Sequence, residues 1–217
     1  MSDLTWLNGA KALGIALPLF VAWWLKKSGY WYKPKAERTV TPGIKALFRR
    51  YTGPYQNSGA AYQQAFDVLK SSDESGSYTQ SFAIYLDDPD CAPAEKLRYS
   101  VGVVANDLDK KTIELFKSKG YEMVDFPGGV PCVATKFPCF LAGGFNILNI
   151  IFAVSRCYKV IYDEVPKSRV AAFELCDMKY TNYYLPIPEN KEQEEIFSLG
   201  YELTKEEMEK SEDKKCK

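Results

Sequence analysis

The chain has no histidine in its 217 residues. That absence excludes Ser-His-Asp and Cys-His nucleophile machinery, imidazole acid–base chemistry and His-ligated zinc. Any catalysis has to run on Glu, Asp, Tyr, Lys or Cys. Charge of either sign is not in excess, since 28 Lys+Arg balance 28 Asp+Glu. Nucleic-acid-binding surfaces show as a basic surplus, so no nucleic-acid partner is expected. No phosphate-binding glycine loop and no dinucleotide fingerprint occur, so no cofactor is expected. The six cysteines (Cys91, Cys132, Cys139, Cys157, Cys176, Cys216) contain no CxxC pair. Their irregular spacing favours buried thiols in a reducing compartment, although an even count leaves disulfides open. Asp87-Asp88-Pro89-Asp90 lacks the spaced ligands and glycine of a calcium loop and reads as a turn, so no metal is expected.

What is present begins with a long apolar run. Leu4 to Leu25 is about 22 residues, or about 33 Å as a helix, against a hydrocarbon core of about 30 Å. Trp23, Trp24, Tyr30, Trp31 and Tyr32 stand where an interfacial belt belongs, and Lys26, Lys27, Lys33, Lys35 and Arg38 follow. The positive-inside rule then puts the rest of the chain in the cytosol. A cleavable signal peptide is the rival, but Met1-Ser2-Asp3 is not basic and Trp-Trp-Leu-Lys-Lys is a poor cleavage context. The expected organisation is an anchor over 1–27, a linker over 28–40, a folded domain over 41–188 and a charged cytosolic tail over 189–217.

Hydrophobic residues make up 46% of the chain, enough for a core, and the 15 tyrosines suit a β-rich domain or a ligand pocket. The domain repeats itself. Gly43 to Thr52 reads as a strand, and a helix follows from Asn57 or Ser58 to about Lys70. Ser71 to Ser77 reads as a loop, and Phe82 to Leu86 and Leu97 to Ala105 as strands. A short helix over Lys111 to Lys119 ends at Gly120, and Tyr121 to Phe126 reads as an edge strand. The pattern restarts with a strand over Val130 to Phe137, a helix from Leu141 to about Asp163, and strands over Arg169 to Asp177 and Tyr180 to Ile187. The fold class expected is α+β, a duplicated β-α-β-β domain preceded by one transmembrane helix. Phe137 to Val154 carries no charge over about 18 residues, the lower limit for a span. Pro138, Asn146, Asn149 and Gly143-Gly144 favour a buried helix there instead. Glu192 to Lys210 reads as a solvated helix.

With that pattern in place, Arg49-Arg50-Tyr51-Thr52-Gly53-Pro54-Tyr55 and Phe82-Ala83-Ile84-Tyr85-Leu86-Asp87-Asp88-Pro89 resemble the GyrI-like small-molecule-binding superfamily. Val133-Ala134-Thr135-Lys136-Phe137-Pro138 and Phe173-Glu174-Leu175 add to the resemblance. An apolar anchor before such a domain resembles the animal testis-expressed single-pass ER-phagy receptor group. The resemblance implies a single-pass protein of the endoplasmic reticulum membrane, with its domain on the cytosolic face. It further implies a role in selective autophagy (reticulophagy) and autophagosomal ubiquitin-like proteins as partners. The tail departs from that group, because neither Phe197-Ser198-Leu199-Gly200 nor Tyr201-Glu202-Leu203-Thr204 completes an aromatic-x-x-aliphatic docking motif. Tyr162-Asp163-Glu164-Val165 and Tyr184-Leu185-Pro186-Ile187 match it but fall in or beside expected structured elements.

Glu174 is the leading candidate for chemistry. Alternation puts Phe173 and Leu175 on one face of their strand and Glu174 with Ala172 and Cys176 on the other. A carboxylate among small residues in a covered strand is costly unless it meets water, a donor or a ligand; a solvent-facing Glu on an edge strand is the bland alternative. The resemblance implies a pocket glutamate here, binding a hydrophobic or cationic small molecule. It also leaves room for a hydrolase of strained electrophiles with Glu174 as general base. Tyr51, Tyr85, Phe137 and Tyr184 are candidates to line the same cavity. Cys176 stands where the family has a tyrosine, which weighs against catalysis. Finally, Lys214 and Lys215, fourth and third from the end, resemble a di-lysine ER-retrieval signal.

Overall fold

The computed structural model describes residues 16–72, 80–139, 146–166, 168–177 and 179–201. Residues 16–27 are helical (α1). Eight strands follow: β1 (Glu37–Val40), β2 (Ile44–Thr52), β3 (Ser81–Tyr85), β4 (Arg98–Val104), β5 (Glu122–Phe126), β6 (Pro131–Pro138), β7 (Phe173–Cys176) and β8 (Tyr180–Pro186). The remaining helices are α2 (Ser58–Lys70), α3 (Lys110–Ser118), α4 (Asn146–Glu164) and α5 (Lys191–Phe197). The class is α+β. One eight-stranded sheet runs in the order β1-β6-β8-β7-β3-β4-β2-β5, every pair antiparallel.

That order is a palindrome of two units. β2-α2-β3-β4 and β6-α4-β7-β8 each form a three-stranded block with a helix after the first strand. The blocks join through the β3–β7 ladder, and β5 extends one while β1 extends the other. Local chemistry sets several element ends. Asp109 caps α3 by accepting the Thr112 N–H at 2.6 Å, and Gly120 supplies the left-handed turn after it, at φ +83. Asn190 caps α5 by accepting the Gln193 N–H at 2.9 Å.

Three layers result. One face of the sheet carries Phe48, Phe82, Ile84, Phe126 and Phe173, covered by Phe197 and Leu199 around α5. Phe197 stacks on both Phe126 and Phe173. The other face is covered by α2 and α3 over Leu47 and Val103, and by α4 over Val133, Phe137 and Leu185. β3, β7 and β4 are therefore buried on both sides, which is why they read as near-continuous apolar runs.

Two stretches differ from the sequence reading. Glu37–Val40, within the expected linker, is an edge strand on β6, with Arg38 opposite Val133. Phe197 and Leu199, within the expected tail, are buried core. Both were masked by local polarity: all four β1 residues are exposed, and α5 is mostly charged. Among the described residues no helix is long and apolar enough to cross a membrane. The run from Leu4 to Leu25 falls partly outside the described residues, as do residues 140–145 of the second charge-free stretch, whose α4 part packs on the sheet through Ala153, Cys157 and Ile161. Lys214 and Lys215 lie outside them too. No described cysteine is in a disulfide.

Candidate functional site

β7 lies between β8 and β3, so its backbone is bonded on both edges. Its short alternation sends Phe173 and Leu175 into the α5-side core and Glu174 to the face between α2 and α4, as expected. Across the ladders Glu174 faces Ala83 on β3 and Tyr183 on β8. Ala83 is fully buried and presents only a methyl group opposite the carboxylate. Glu174 is 8% exposed.

Phenols surround it. The Tyr158 hydroxyl, from α4, donates to Glu174 Oε1 at 2.7 Å. Tyr183 packs edge-on against Tyr158, with ring centroids 5.5 Å apart. Tyr62 of α2 and Tyr85 of β3 approach from the other repeat. Tyr62, Tyr85, Tyr158 and Tyr183 all titrate above the usual phenol range, first because they are buried and next because of a neighbouring charge; for Tyr85, Tyr158 and Tyr183 that charge is Glu174. Glu174 itself is pushed up to about 7. Burial is the main cause, the Tyr158 hydrogen bond opposes it, and the Cys176 charge adds to it. Among the described residues no cationic group acts on it. A buried carboxylate without a cation is expensive to ionise, so the site favours an incoming positive charge.

Tyr85 lies where the sequence placed it, beside Glu174 on the same face. Tyr51 shares that face but stands two strands further out, stacked on Tyr99 at 5.4 Å; Tyr99 in turn stacks on Tyr85 at 6.1 Å. Phe137 is on the same face, under α4 with Cys157 and Tyr183, and meets Tyr32 edge-on at 5.2 Å. Tyr184 does not join the site. The β7–β8 register puts it opposite Phe173, on which it stacks at 5.2 Å on the other side of the sheet. Its neighbour Tyr183 takes the place expected of it. The docking-motif match at Tyr184 is also locked into β8.

Sequence reasoning missed Tyr62, Tyr158 and Tyr183. A signal for Tyr158 existed in the stripe Ile151, Val154, Tyr158, Tyr162, spaced as one helix face. The Tyr162 hydroxyl accepts the Ala172 N–H at 3.3 Å, fixing the lower end of that face over the strand. Ile151 and Val154, about two turns and one turn before Tyr158, are 51% and 44% exposed. The stripe therefore runs from an open apolar surface down to the carboxylate.

Cys176 and Cys139 meet Sγ to Sγ at 3.0 Å, and Cys139 also meets Thr181 Oγ1 at 3.0 Å. The contact holds Cys176 below and Cys139 above the usual thiol range. Asp87 is engaged elsewhere: it pairs with the Arg98 guanidinium at 2.6 Å, and Tyr55 donates to its carbonyl at 2.7 Å.

No family model matches the sequence. The chain is similar to Testis-expressed protein 264 of Homo sapiens, 21% identical over 179 residues, covering 80% of this chain and 53% of that protein. The chain thus spans about half the length of this relative. Among solved structures it is similar to an uncharacterized conserved protein from Listeria innocua, at 14% identity and TM-score 0.42, covering 76% of this chain and 98% of that one. The EcmrR C-terminal domain gives 13% identity and TM-score 0.44, covering 72% and 99%. SAV2435, solved bound to tetraphenylphosphonium, gives 10% and 0.42, covering 73% and 99%. These overlaps are loose, and the architecture rests on the strand pairing itself.

Proposed function

We propose that this is a GyrI-like binding domain whose ligand is a hydrophobic cation, or a partner presenting the same chemistry, with Glu174 as the charge that receives it. The observation that carries this reading is a buried carboxylate, ringed by aromatic hydroxyls, on which no cation acts among the described residues. Aromatic faces beside a carboxylate favour cations, and the exposed Ile151 and Val154 offer an apolar approach. A thermal-shift titration with a lipophilic phosphonium ion tests it. Stabilisation of the wild type that disappears in Glu174→Gln is expected; equal stabilisation of both proteins would sink the reading.

The domain is further proposed to be held at the endoplasmic reticulum membrane by Leu4–Leu25, facing the cytosol, and to serve as an adaptor in selective autophagy. Helix α1 supports the anchor, because Leu17, Leu19, Phe20 and Trp23 are exposed and need an apolar environment. The adaptor role rests on the resemblance to the testis-expressed group and the likeness to its human member. Protease protection on microsomes with tags at both ends tests the topology: a C-terminal tag digested on intact membranes is expected, a protected one contradicts it. Co-purification with autophagosomal ubiquitin-like proteins on starvation tests the adaptor role, and its absence would remove that part alone.

One observation favours a second reading, hydrolysis of a strained electrophile. Glu174, poised near 7, has the pKa of a general base at neutral pH. Turnover lost on Glu174→Gln would establish it, and binding without turnover would exclude it.

A further inference from the structure

The segment after α1 does not hang free. Arg156 of α4 donates through Nη1 to three carbonyls in a row of turns: Gly29 at 3.1 Å, Tyr30 at 2.8 Å and Tyr32 at 2.9 Å. Asn149 Nδ2, one side of the same helix, donates to the Ser28 carbonyl at 3.1 Å. The Arg156 guanidinium also lies over the Phe152 ring at 4.7 Å, and Phe152 meets Tyr30 edge-on at 5.6 Å. Buried or half-buried donors satisfying four backbone carbonyls between Ser28 and Tyr32 make this junction stiff. The end of α1 is thereby held at a fixed place on α4.

Between the clamped segment and α4 lies a groove of about 530 Å³, with Trp31, Lys33 and Pro34 on one wall and Arg156, Lys159 and Val160 on the other. Three of its lining residues are cationic. Lys33 is exposed, and Lys159 is paired only across the surface, with Asp163 at 3.4 Å and both side chains well over half exposed. Such a pair is worth little and exchanges its partner cheaply. Lys26 and Lys27, also exposed, are the last residues of α1, just before the clamped segment. Trp31 is 59% exposed. An exposed indole, a cationic groove and a fixed position below an apolar helix match the headgroup layer of a bilayer, where Trp and Lys are both favoured.

We propose that this groove is a headgroup site for an anionic phospholipid of the membrane in which the N-terminal segment sits. The inference rests on the anchor reading above. Lys33 and Lys159 would pair with the headgroup phosphate, Trp31 would lie among the glycerol ester groups, and Arg156 would keep the groove walls together rather than bind. The site would set the orientation of the whole domain on the membrane and so the direction in which the exposed Ile151 and Val154 face. Holding the groove next to the bilayer gives it a high effective lipid concentration, which a soluble phosphate ester lacks.

The test is native mass spectrometry of the full-length protein in detergent, titrated with phosphatidylserine and phosphatidylcholine, beside alkaline carbonate extraction of the same protein from microsomes. The expected result is retention of the anionic lipid over the zwitterionic one, at least about tenfold weaker in the Lys33→Gln/Lys159→Gln double variant. Lys117→Gln/Lys119→Gln, which removes the same charge from exposed positions near α3, should keep the wild-type preference. Equal binding of both lipids, a preference that survives the Lys33/Lys159 change, or full displacement by millimolar inorganic phosphate would each overturn the headgroup site. Release by carbonate is a separate readout that overturns the anchor, so the two failures are told apart.

Discussion

The two repeats use the same scaffold for different ends. In each helix the core contacts fall every fourth residue, Ala61, Ala65 and Leu69 in α2 and Ala153, Cys157 and Ile161 in α4. A tyrosine follows a core position in both, Tyr62 after Ala61 and Tyr158 after Cys157. At the shared ladder, however, the first repeat places Ala83 and the second Glu174 directly opposite. The second repeat also carries the Cys139–Cys176 contact and a helix of 19 residues against 13, on which Ile151 and Val154 are exposed. Duplication lets one half stay a plain packing unit while the other takes on a charge that no single small domain would bury cheaply.

The largest effect that would sharpen this contrast lies in the packing half. Gly102 in β4 has no room for a side chain, because a Cβ would collide with the Leu47 carbonyl and the backbone of Phe48. Gly102→Ala should cost at least about 3 kcal/mol by chemical denaturation; a loss under about 1 kcal/mol would show that β2 and β4 separate easily.

Glu174 comes next. Its folded pKa of about 7 lies above the ordinary glutamate value of 4.5. The folded state therefore binds more protons than the unfolded chain between these values. The contribution to stability is fully present below about pH 4.5 and is lost as pH rises through about 7, by up to roughly 3 kcal/mol. Glu174→Gln should flatten that dependence and leave the variant more stable than wild type at about pH 8. A wild-type curve that rises with pH across this window would break the account.

The two helix tyrosines then separate the repeats further. Tyr158→Phe removes the donor to Glu174 and should raise its titration midpoint, with a stability loss of about 1.5–3 kcal/mol while the carboxylate is charged. Tyr62→Phe should move that midpoint by no more than about 0.3 units, since the Tyr62 hydroxyl is not bonded to the carboxylate. Nuclear magnetic resonance titration of the glutamate carboxyl reads both, and equal shifts would mean the repeats are electrostatically equivalent. The smallest effect belongs to the surface: Lys159→Gln should change stability by less than about 0.5 kcal/mol, because its Asp163 pair is exposed.

Most strands and helices were legible because burial writes period 2 or period 3.6 into the sequence. The face of Glu174 followed from Phe173 and Leu175 alone. What lay beyond reach was register. Whether Tyr183 or Tyr184 faces Glu174 depends on which residues of β7 and β8 are paired, and a slip of one residue exchanges them. β1 gave no signal because an edge strand with four exposed residues has no buried face to alternate. Phe197 was hidden for the opposite reason, one fully buried residue at the end of a helix that, apart from Ile196, is otherwise made of Lys, Glu and Gln. The Tyr158 donor needed both α4's face and its height above the sheet, and only the face can be read from spacing.

Glu174 is proposed as the buried charge that receives a cation. Calorimetric titration of a lipophilic phosphonium ion across about pH 5.5 to 8.5 tests it most directly. Affinity is expected to strengthen as pH rises through about 7, where the carboxylate ionises, and to be lost in Glu174→Gln. Affinity that is flat across this range, or unchanged in the variant, would contradict it.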